Sequence, residues 1–142
     1  MAIRFDRIAI IGMGLIGSSI ARAVRDKGLA SHVAAIDADS AVAERVKALG
    51  IADSVTTQAA RGVKDADLVI LCIPVGVYGK VAKAISRHLN PGAIVSDVGS
   101  VKAAVVKAVQ PHLPGHVAFV PAHPVAGTEY SGPDAGFSTL FT

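Results

Sequence analysis

Apolar residues fall along the chain in short blocks that predict alternating strands and helices. Residues 7–11 form an apolar, β-rich run that stops at a cluster of glycines, which indicates a first strand. Beyond the glycines, apolar positions recur at helical spacing, and these positions are Ile16, Ile20, Ala23 and Val24. Gly28 suits the left-handed residue that ends many helices. We therefore expect a strand, a glycine turn and a helix that ends before Gly28.

A second strand and a second helix follow in the same order. Residues 32–36 predict a strand that ends at Asp37. Asp39 or Ser40 can then cap a helix that Gly50 closes. One face of this helix is apolar and consists of Val42, Val46 and Leu49. The first part of the chain is therefore expected to have a β-α-β-α order.

The middle of the chain contains one weak and one strong strand pattern. Residues 54–56 indicate a weak third strand, whereas residues 58–67 fit either a loop or a short helix. Residues 68–73 are apolar without alternation, as a strand that is covered on both faces requires. This run predicts a parallel sheet between two layers of helices.

The alternation continues beyond that strand. A helical face is predicted from Val77, Val81, Ala84, Ile85 and His88. Residues 90–92 break the chain, and residues 94–97 predict another strand. Ser100 can cap a helix whose apolar positions are Val101, Ala104, Val105 and Ala108. Residues 117–120 predict a final strand, and residues 132–142 show no periodicity.

This order of elements predicts the fold class. Alternating strands and helices with short connections favour an α/β fold with a doubly wound, mostly parallel sheet of the Rossmann type. Such a sheet binds ligands at the carboxyl ends of its strands. The chain has 142 residues, of which 51% are hydrophobic, so residues 1–142 are expected to form one domain around one core.

Charge and hydropathy argue against some classes of partner. The net charge is +3, but the basic residues are scattered and only 4% of the residues are aromatic, so no nucleic-acid partner is expected. The longest strongly apolar run, residues 68–73, is far shorter than the ~20 residues that cross a bilayer. No basic and apolar leader precedes Phe5. We therefore expect a cytoplasmic protein without a membrane partner.

The cysteine and the dispersed acids predict neither a disulfide nor a metal site. Cys72 is the single cysteine and lies in the apolar run 68–73, so a buried structural thiol is expected. His123 has no cysteine or second histidine at ligand spacing, and the carboxylates are scattered along the chain. We therefore expect no metal cofactor.

The glycine cluster has the spacing of a dinucleotide-binding turn. Gly12, Gly14 and Gly17 lie between a predicted strand and a predicted helix, which is the context that this G-x-G-x-x-G motif requires. Such a turn directs backbone N–H groups and the positive end of the helix dipole toward a pyrophosphate. Gly12 is expected to allow the tight turn, Gly14 to admit the phosphates, and Gly17 to let the helix pack on the sheet.

Asp37 stands at the end of the second predicted strand, 20 residues after Gly17. A carboxylate there can accept hydrogen bonds from the adenosine ribose hydroxyls, although Asp37 can also cap its own loop. It would repel the additional phosphate of NADP, and residues 38–40 contain no arginine, so NAD is the predicted cofactor. The predicted cofactor-binding residues are Gly12, Met13, Gly14, Leu15, Ile16, Gly17, Asp37, Ile73 and Pro74.

His123 is the candidate for acid-base chemistry. It follows the last predicted strand, which places it at the sheet edge where a nicotinamide would lie. Pro121 and Pro124 restrict the backbone on either side. An imidazole, with an ordinary pKa of ~6.5, can accept a hydroxyl proton while hydride leaves the same carbon. The alternative is a surface or structural role, which most histidines have.

Three stretches together resemble one enzyme family. They are IGMGLIG at residues 11–17, DVGSVK at residues 97–102 and AHPVAGTE at residues 122–129. On these motifs, nearly the whole chain resembles the amino-terminal domain of a prephenate or arogenate (cyclohexadienyl) dehydrogenase. The resemblance implies NAD-dependent oxidation of the ring alcohol of prephenate or arogenate in tyrosine biosynthesis, with loss of the ring carboxyl as carbon dioxide.

The resemblance also implies roles for individual residues. Ser100 matches a serine that hydrogen-bonds the substrate hydroxyl and aligns the histidine, whereas its alternative role is that of a helix cap. Glu129 matches a glutamate at the mouth of the active site, and a solvated acid is the alternative. The predicted catalytic residues are His123 and Ser100, and the predicted substrate-binding residues are Ser100, His123, Thr128 and Glu129.

Members of the resembled family carry a second, mainly helical domain that supplies contacts to the substrate carboxylates and most of a homodimer interface. Nothing in the sequence corresponds to that domain, so we expect these residues to bind the cofactor without turnover. The preference between prephenate and arogenate stays open. Two alternatives also remain, another Rossmann-type enzyme such as a β-hydroxyacid dehydrogenase or an imine reductase, and a nucleotide-binding module without catalysis.

Overall fold

Strands and helices alternate along the parts of the chain that the computed structural model describes, residues 5–98 and 109–120. The strands there are β1 (Phe5–Ile11), β2 (Ala30–Ile36), β3 (Ser54–Thr56), β4 (Leu68–Leu71), β5 (Ile94–Asp97) and β6 (Ala118–Val120). The α-helices in these ranges are α1 (Leu15–Asp26), α2 (Ser40–Leu49), α3 (Ala59–Gly62) and α4 (Tyr78–Ile85). Short 3-10 turns occur at Val75–Val77, Ser86–His88 and Gln110–His112. The helix predicted after Ser100 lies outside the described residues.

The strands form one six-stranded sheet in the order β3-β2-β1-β4-β5-β6. Each neighbouring pair is parallel, so the predicted α/β class and doubly wound Rossmann-type sheet are confirmed. Ile11 pairs with Ile36 on one side and with Leu71 on the other, so β1, β2 and β4 end at the same level. The chain order reverses at β1, and a crevice is expected at this point of the carboxyl edge.

Alternate side chains of the sheet enter two apolar cores, one on each face. In β1, Ile8 and Ile10 lie in the core that α1 and α2 cover, whereas Ala9 and Ile11 lie in the core that α3 and α4 cover. Burial from both faces explains why residues 8–11 of β1 and the whole of β4 are apolar without alternation. In the described ranges, none of the helices combines the length and the apolar character needed to cross a membrane.

The predicted bounds of the strands agree with the structure to within two residues. The third and fifth strands occupy the predicted residues 54–56 and 94–97. The fourth strand ends at Leu71 instead of residue 73, because the chain turns through Pro74 into a 3-10 turn. In the stretch that fitted either a loop or a helix, residues 59–62 form the short helix α3.

The buried face of α1 differs from the predicted one. Of the four predicted positions, only Val24 is fully buried. The residues that α1 does bury are Gly17, Ser18, Ser19, Ala21 and Val24. Small residues are needed here because the helix starts directly against the glycine turn, where the Ser18 hydroxyl donates a hydrogen bond to the Gly14 carbonyl at 2.6 Å. A pattern of large apolar residues cannot reveal a face of this composition.

The predicted face of α4 was also wrong, with only Ile85 fully buried among its five positions. The residues buried along this segment are Tyr78, Ala82, Ile85 and Leu89. The Tyr78 hydroxyl donates a hydrogen bond to the Leu71 carbonyl at 3.2 Å, which allows the aromatic ring to be buried. Val77 is 39% exposed because it lies in the 3-10 turn before the helix and does not share its register. Val77, Val81 and Ala84 instead border a cavity.

Candidate functional site

A cavity of about 500 Å³ lies at the carboxyl edge of the sheet. Ile11 and Ile36 at the ends of β1 and β2, and Cys72 directly after β4, contribute to its wall. The segment around α4 contributes Val77, Val81 and Ala84. This volume is within the range of sites that bind small molecules, and so is a mostly apolar wall with a few polar groups. The cavity lies where the topology of the sheet predicts a ligand.

The backbone of the turn beneath the cavity requires glycine at two positions. Gly12 has a φ of +97°, and a Cβ there would overlap the carbonyl oxygen of Cys72. A Cβ on Gly17 would overlap the carbonyl oxygen of Gly12 and would lie 3.4 Å from the Cβ of Cys72. The predicted close packing of the helix on the sheet is therefore present at Gly17, and it involves the turn as well.

Gly14 has a different environment, because it borders open space at the start of α1. A Cβ on Gly14 would meet no described atom within 4 Å. Gly14 is the N-cap residue of α1 and has no side chain that could cap the helix, and the first turn contains no acidic residue. The first N–H groups of a helix have no partners within it, so this end carries a partial positive charge. The space beside Gly14 therefore suits the close approach of an anionic group.

The Asp37 carboxylate connects the glycine turn to the loop after β2. Its Oδ2 accepts a hydrogen bond from the Met13 N–H at 2.8 Å. Its Oδ1 accepts one from the Asp39 N–H at 2.9 Å, which is the loop cap considered as an alternative role. Each carboxylate oxygen has a further lone pair. Asp37 also lines the cavity, so it combines the cap with the capacity to accept hydrogen bonds from a ligand.

The structure brings six of the nine predicted cofactor-binding residues to the cavity wall. These residues are Gly12, Met13, Gly14, Asp37, Ile73 and Pro74. Leu15, Ile16 and Gly17 are not part of the wall, because they already belong to the first turn of α1. A ligand would reach these three residues through backbone N–H groups.

Some residues of the wall were not predicted to belong to the site. They are Ile11, Ile36, Ala38, Thr57, Ala59, Cys72, Val77, Lys80, Val81 and Ala84. Lys80 is exposed, and among the described residues it is the one lysine or arginine that lines the cavity. Its position in the first turn of α4, where a positive charge is unfavourable, was a usable indication in the sequence.

Cys72 directly follows β4, and Asp97 is the last residue of the adjacent strand β5. Asp97 is fully buried. Burial raises the pKa of the Cys72 thiol, and the negative charge of Asp97 raises it further. The thiol therefore stays protonated, which supports the predicted structural role of this cysteine.

Ser100, His123, Thr128 and Glu129 lie outside the described residues, so their roles remain predictions. The strands that precede them are described. β5 and β6 are parallel neighbours, which end at Asp97 and Val120. The chain therefore leaves both strands at the edge of the sheet that carries the cavity.

The chain is similar to proteins of one family. Residues 20–142 match the family described as prephenate dehydrogenase, nucleotide-binding domain. The cyclohexadienyl dehydrogenase of Zymomonas mobilis is 48% identical over 137 residues, which cover 96% of this chain and 46% of that protein.

Two solved structures extend the comparison to the fold. The prephenate dehydrogenase of A. aeolicus in complex with hydroxyphenyl propionate and NAD+ has a TM-score of 0.88 at 30% identity, over 99% of this chain and 49% of that one. The arogenate dehydrogenase of Synechocystis has a TM-score of 0.85 at 29% identity, over 96% of this chain and 47% of that one. The chain thus spans just under half the length of each of the three relatives.

Proposed function

Because the chain belongs to the prephenate dehydrogenase family and matches its nucleotide-binding domain, we propose that it binds NAD as the cofactor-binding part of a prephenate or arogenate dehydrogenase. The observation that carries this proposal is the cavity at the glycine turn, where Gly14 leaves room for an anion at the uncapped start of α1. The relative from A. aeolicus, which is similar over 99% of this chain, was crystallised in complex with NAD+.

The described residues fit a dinucleotide in three places. The first turn of α1, next to Gly14, offers N–H groups to the pyrophosphate. The Asp37 carboxylate offers free lone pairs to the hydroxyls of the adenosine ribose. Val77 and Val81 provide an apolar surface for the flat adenine base. Together these groups would hold the adenosine half of NAD along the carboxyl edge of the sheet.

Oxidation of a ring alcohol removes a hydride from its carbon and a proton from its hydroxyl. Bound NAD supplies the hydride acceptor. We assign the hydroxyl proton to the imidazole of His123, and we assign to Ser100 a hydrogen bond that orients the same hydroxyl. Loss of the ring carboxyl as carbon dioxide makes the ring aromatic, so the protein has mainly to align the reactants and remove the proton. Thr128 and Glu129 are proposed to contact the substrate.

We assign binding of the substrate carboxylates and formation of a homodimer to residues that the longer relatives have in addition to this domain. The preference between prephenate and arogenate would depend on the same residues. A cytoplasmic location is also part of the proposal.

The decisive test is NADH formation by the full-length protein with prephenate, arogenate and a panel of β-hydroxyacids. Turnover of prephenate or arogenate supports the proposal. Turnover of β-hydroxyacids alone would replace it with another dehydrogenase activity. Binding of NAD without turnover of any of these substrates would favour a nucleotide-binding module.

The 142-residue chain should bind NAD roughly 5- to 150-fold more tightly than NADP. The 2′-phosphate would approach the Asp37 carboxylate, and a repulsion on the order of 1–3 kcal/mol corresponds to this ratio. Calorimetric titration with both cofactors measures this ratio of affinities. Asp37→Ser should bring the affinities for NAD and NADP closer together. Asp39→Ser is a matched control, because it removes a nearby carboxylate but keeps a residue that can cap α2. Equal affinities of the wild-type chain for NAD and NADP would contradict the proposed role of Asp37.

A further inference from the structure

Lys80 brings an ammonium group to the wall of the cavity. Its side chain is exposed and makes no ion pair with any described residue. The sequence has no carboxylate between Asp67 and Asp97, so the segment that contains α4 offers Lys80 no local partner. The positive charge of Lys80 is therefore available to an anionic ligand.

The stability of α4 does not account for a lysine at this position. Lys80 lies in the first turn of the helix, where its charge opposes the helix dipole. Lys83 lies in the last turn, and Arg87 and His88 follow it, where positive charge complements the dipole. These three residues line a neighbouring groove, which Lys80 also borders. The dipole thus explains the basic cluster at the end of α4 but leaves Lys80 unexplained.

Lys80 and Asp37 line the same cavity. The Asp37 N–H donates a hydrogen bond to the Thr56 carbonyl at 3.1 Å, and the next residue, Thr57, lines the cavity. Helix α3, whose first residue Ala59 is also part of the wall, contacts α4. Lys80 on α4 therefore belongs to the wall of the cavity in which the adenosine ribose is proposed to meet Asp37.

We propose that Lys80 determines cofactor specificity together with Asp37, by binding the phosphate that NADP carries on its adenosine ribose. This inference rests on the proposed dinucleotide function. Asp37 repels that phosphate and Lys80 attracts it, so the site prefers NAD but also binds NADP. The 2′-phosphate carries between one and two negative charges, whereas the ribose hydroxyl of NAD carries none, so the Lys80 charge acts mainly on NADP.

The test compares two lysines of one helix. We expect Lys80→Gln to weaken NADP binding to the 142-residue chain by roughly 3- to 10-fold, and to change NAD binding by less than about 2-fold. Lys83→Gln removes the same charge from an exposed residue that borders the neighbouring groove and does not line the cavity, so it should leave the ratio of the two affinities unchanged. The effect of Lys80→Gln should also shrink as the salt concentration rises, because an exposed charge is screened.

A double variant tests whether the two residues oppose each other. Asp37→Ser should improve NADP binding, and Asp37→Ser combined with Lys80→Gln should lose most of that improvement. An unchanged ratio of the two affinities in Lys80→Gln, or an equal change in Lys83→Gln, would overturn the inference. A wild-type chain that binds NAD but shows no NADP binding would also overturn it. Failure to bind either dinucleotide would overturn the proposed function itself.

Discussion

Gly14→Val should leave the 142-residue chain folded and weaken its NAD binding by at least about 100-fold, which corresponds to roughly 2.7 kcal/mol. A Cβ on Gly14 meets no described atom within 4 Å, so the branched side chain would occupy open space. That space lies beside the start of α1, where the pyrophosphate is proposed to approach. Valine is also a poorer helix cap than glycine, which should cost only about 1 kcal/mol of stability.

Gly17→Val is the matched variant, because it changes the same motif at a position where the added side chain would meet the backbone of the turn and not the cavity. Its Cβ would overlap the carbonyl oxygen of Gly12. We expect it to cost about 3 kcal/mol and to lower the Tm by roughly 6–12 °C. Calorimetric titration with NAD and thermal unfolding followed by circular dichroism separate the two effects. A folded Gly14→Val chain with the NAD affinity of the wild type would show that the glycine turn is only structural.

The sequence predicted the sheet better than the helix faces, and the reason is physical. A strand buried on both faces must be apolar along its length, so the run that contains β4 was recognisable by composition alone. A helix face depends on what lies opposite it. Gly17 and Ala21 of α1 are buried because the turn and the sheet come very close, and nothing in the local sequence reports that distance.

The candidate site was predictable only where it is local in sequence. Gly12, Gly14 and Asp37 follow a spacing that the turn and the second strand impose, so a motif reveals them. Lys80 lines the same cavity, but it lies in α4, which follows β4, and the buried face of α4 was predicted wrongly. The alternation of elements does not predict which residues of α4 face the crevice. That information comes from the packing of Tyr78 beneath the helix.

In the full-length protein, His123→Asn should lower kcat by about 10²- to 10⁴-fold, which is the usual contribution of general acid-base catalysis. The prediction rests on sequence position, because His123 follows β6 and lies outside the described residues. Asparagine retains a hydrogen-bonding group but cannot accept a proton at neutral pH. The affinity for NAD should change little, since the imidazole is proposed to contact the substrate and not the adenosine half. His112→Asn, which changes an exposed histidine of the described region, should leave kcat unchanged.

The pH dependence of the rate gives the second measurement for His123. A histidine acts as a base only when it is neutral, so the wild-type rate should fall as the pH drops through the pKa of that residue, which is near 6.5 for a free imidazole. The fall should approach tenfold per pH unit below the pKa, and it should be absent in His123→Asn. A near-normal kcat in the variant, or the same acid limb in both proteins, would assign the proton transfer to another group. Ser100 with a bound water molecule would then be the next candidate for accepting the hydroxyl proton. In that case Ser100→Ala, unlike His123→Asn, should abolish this proton transfer.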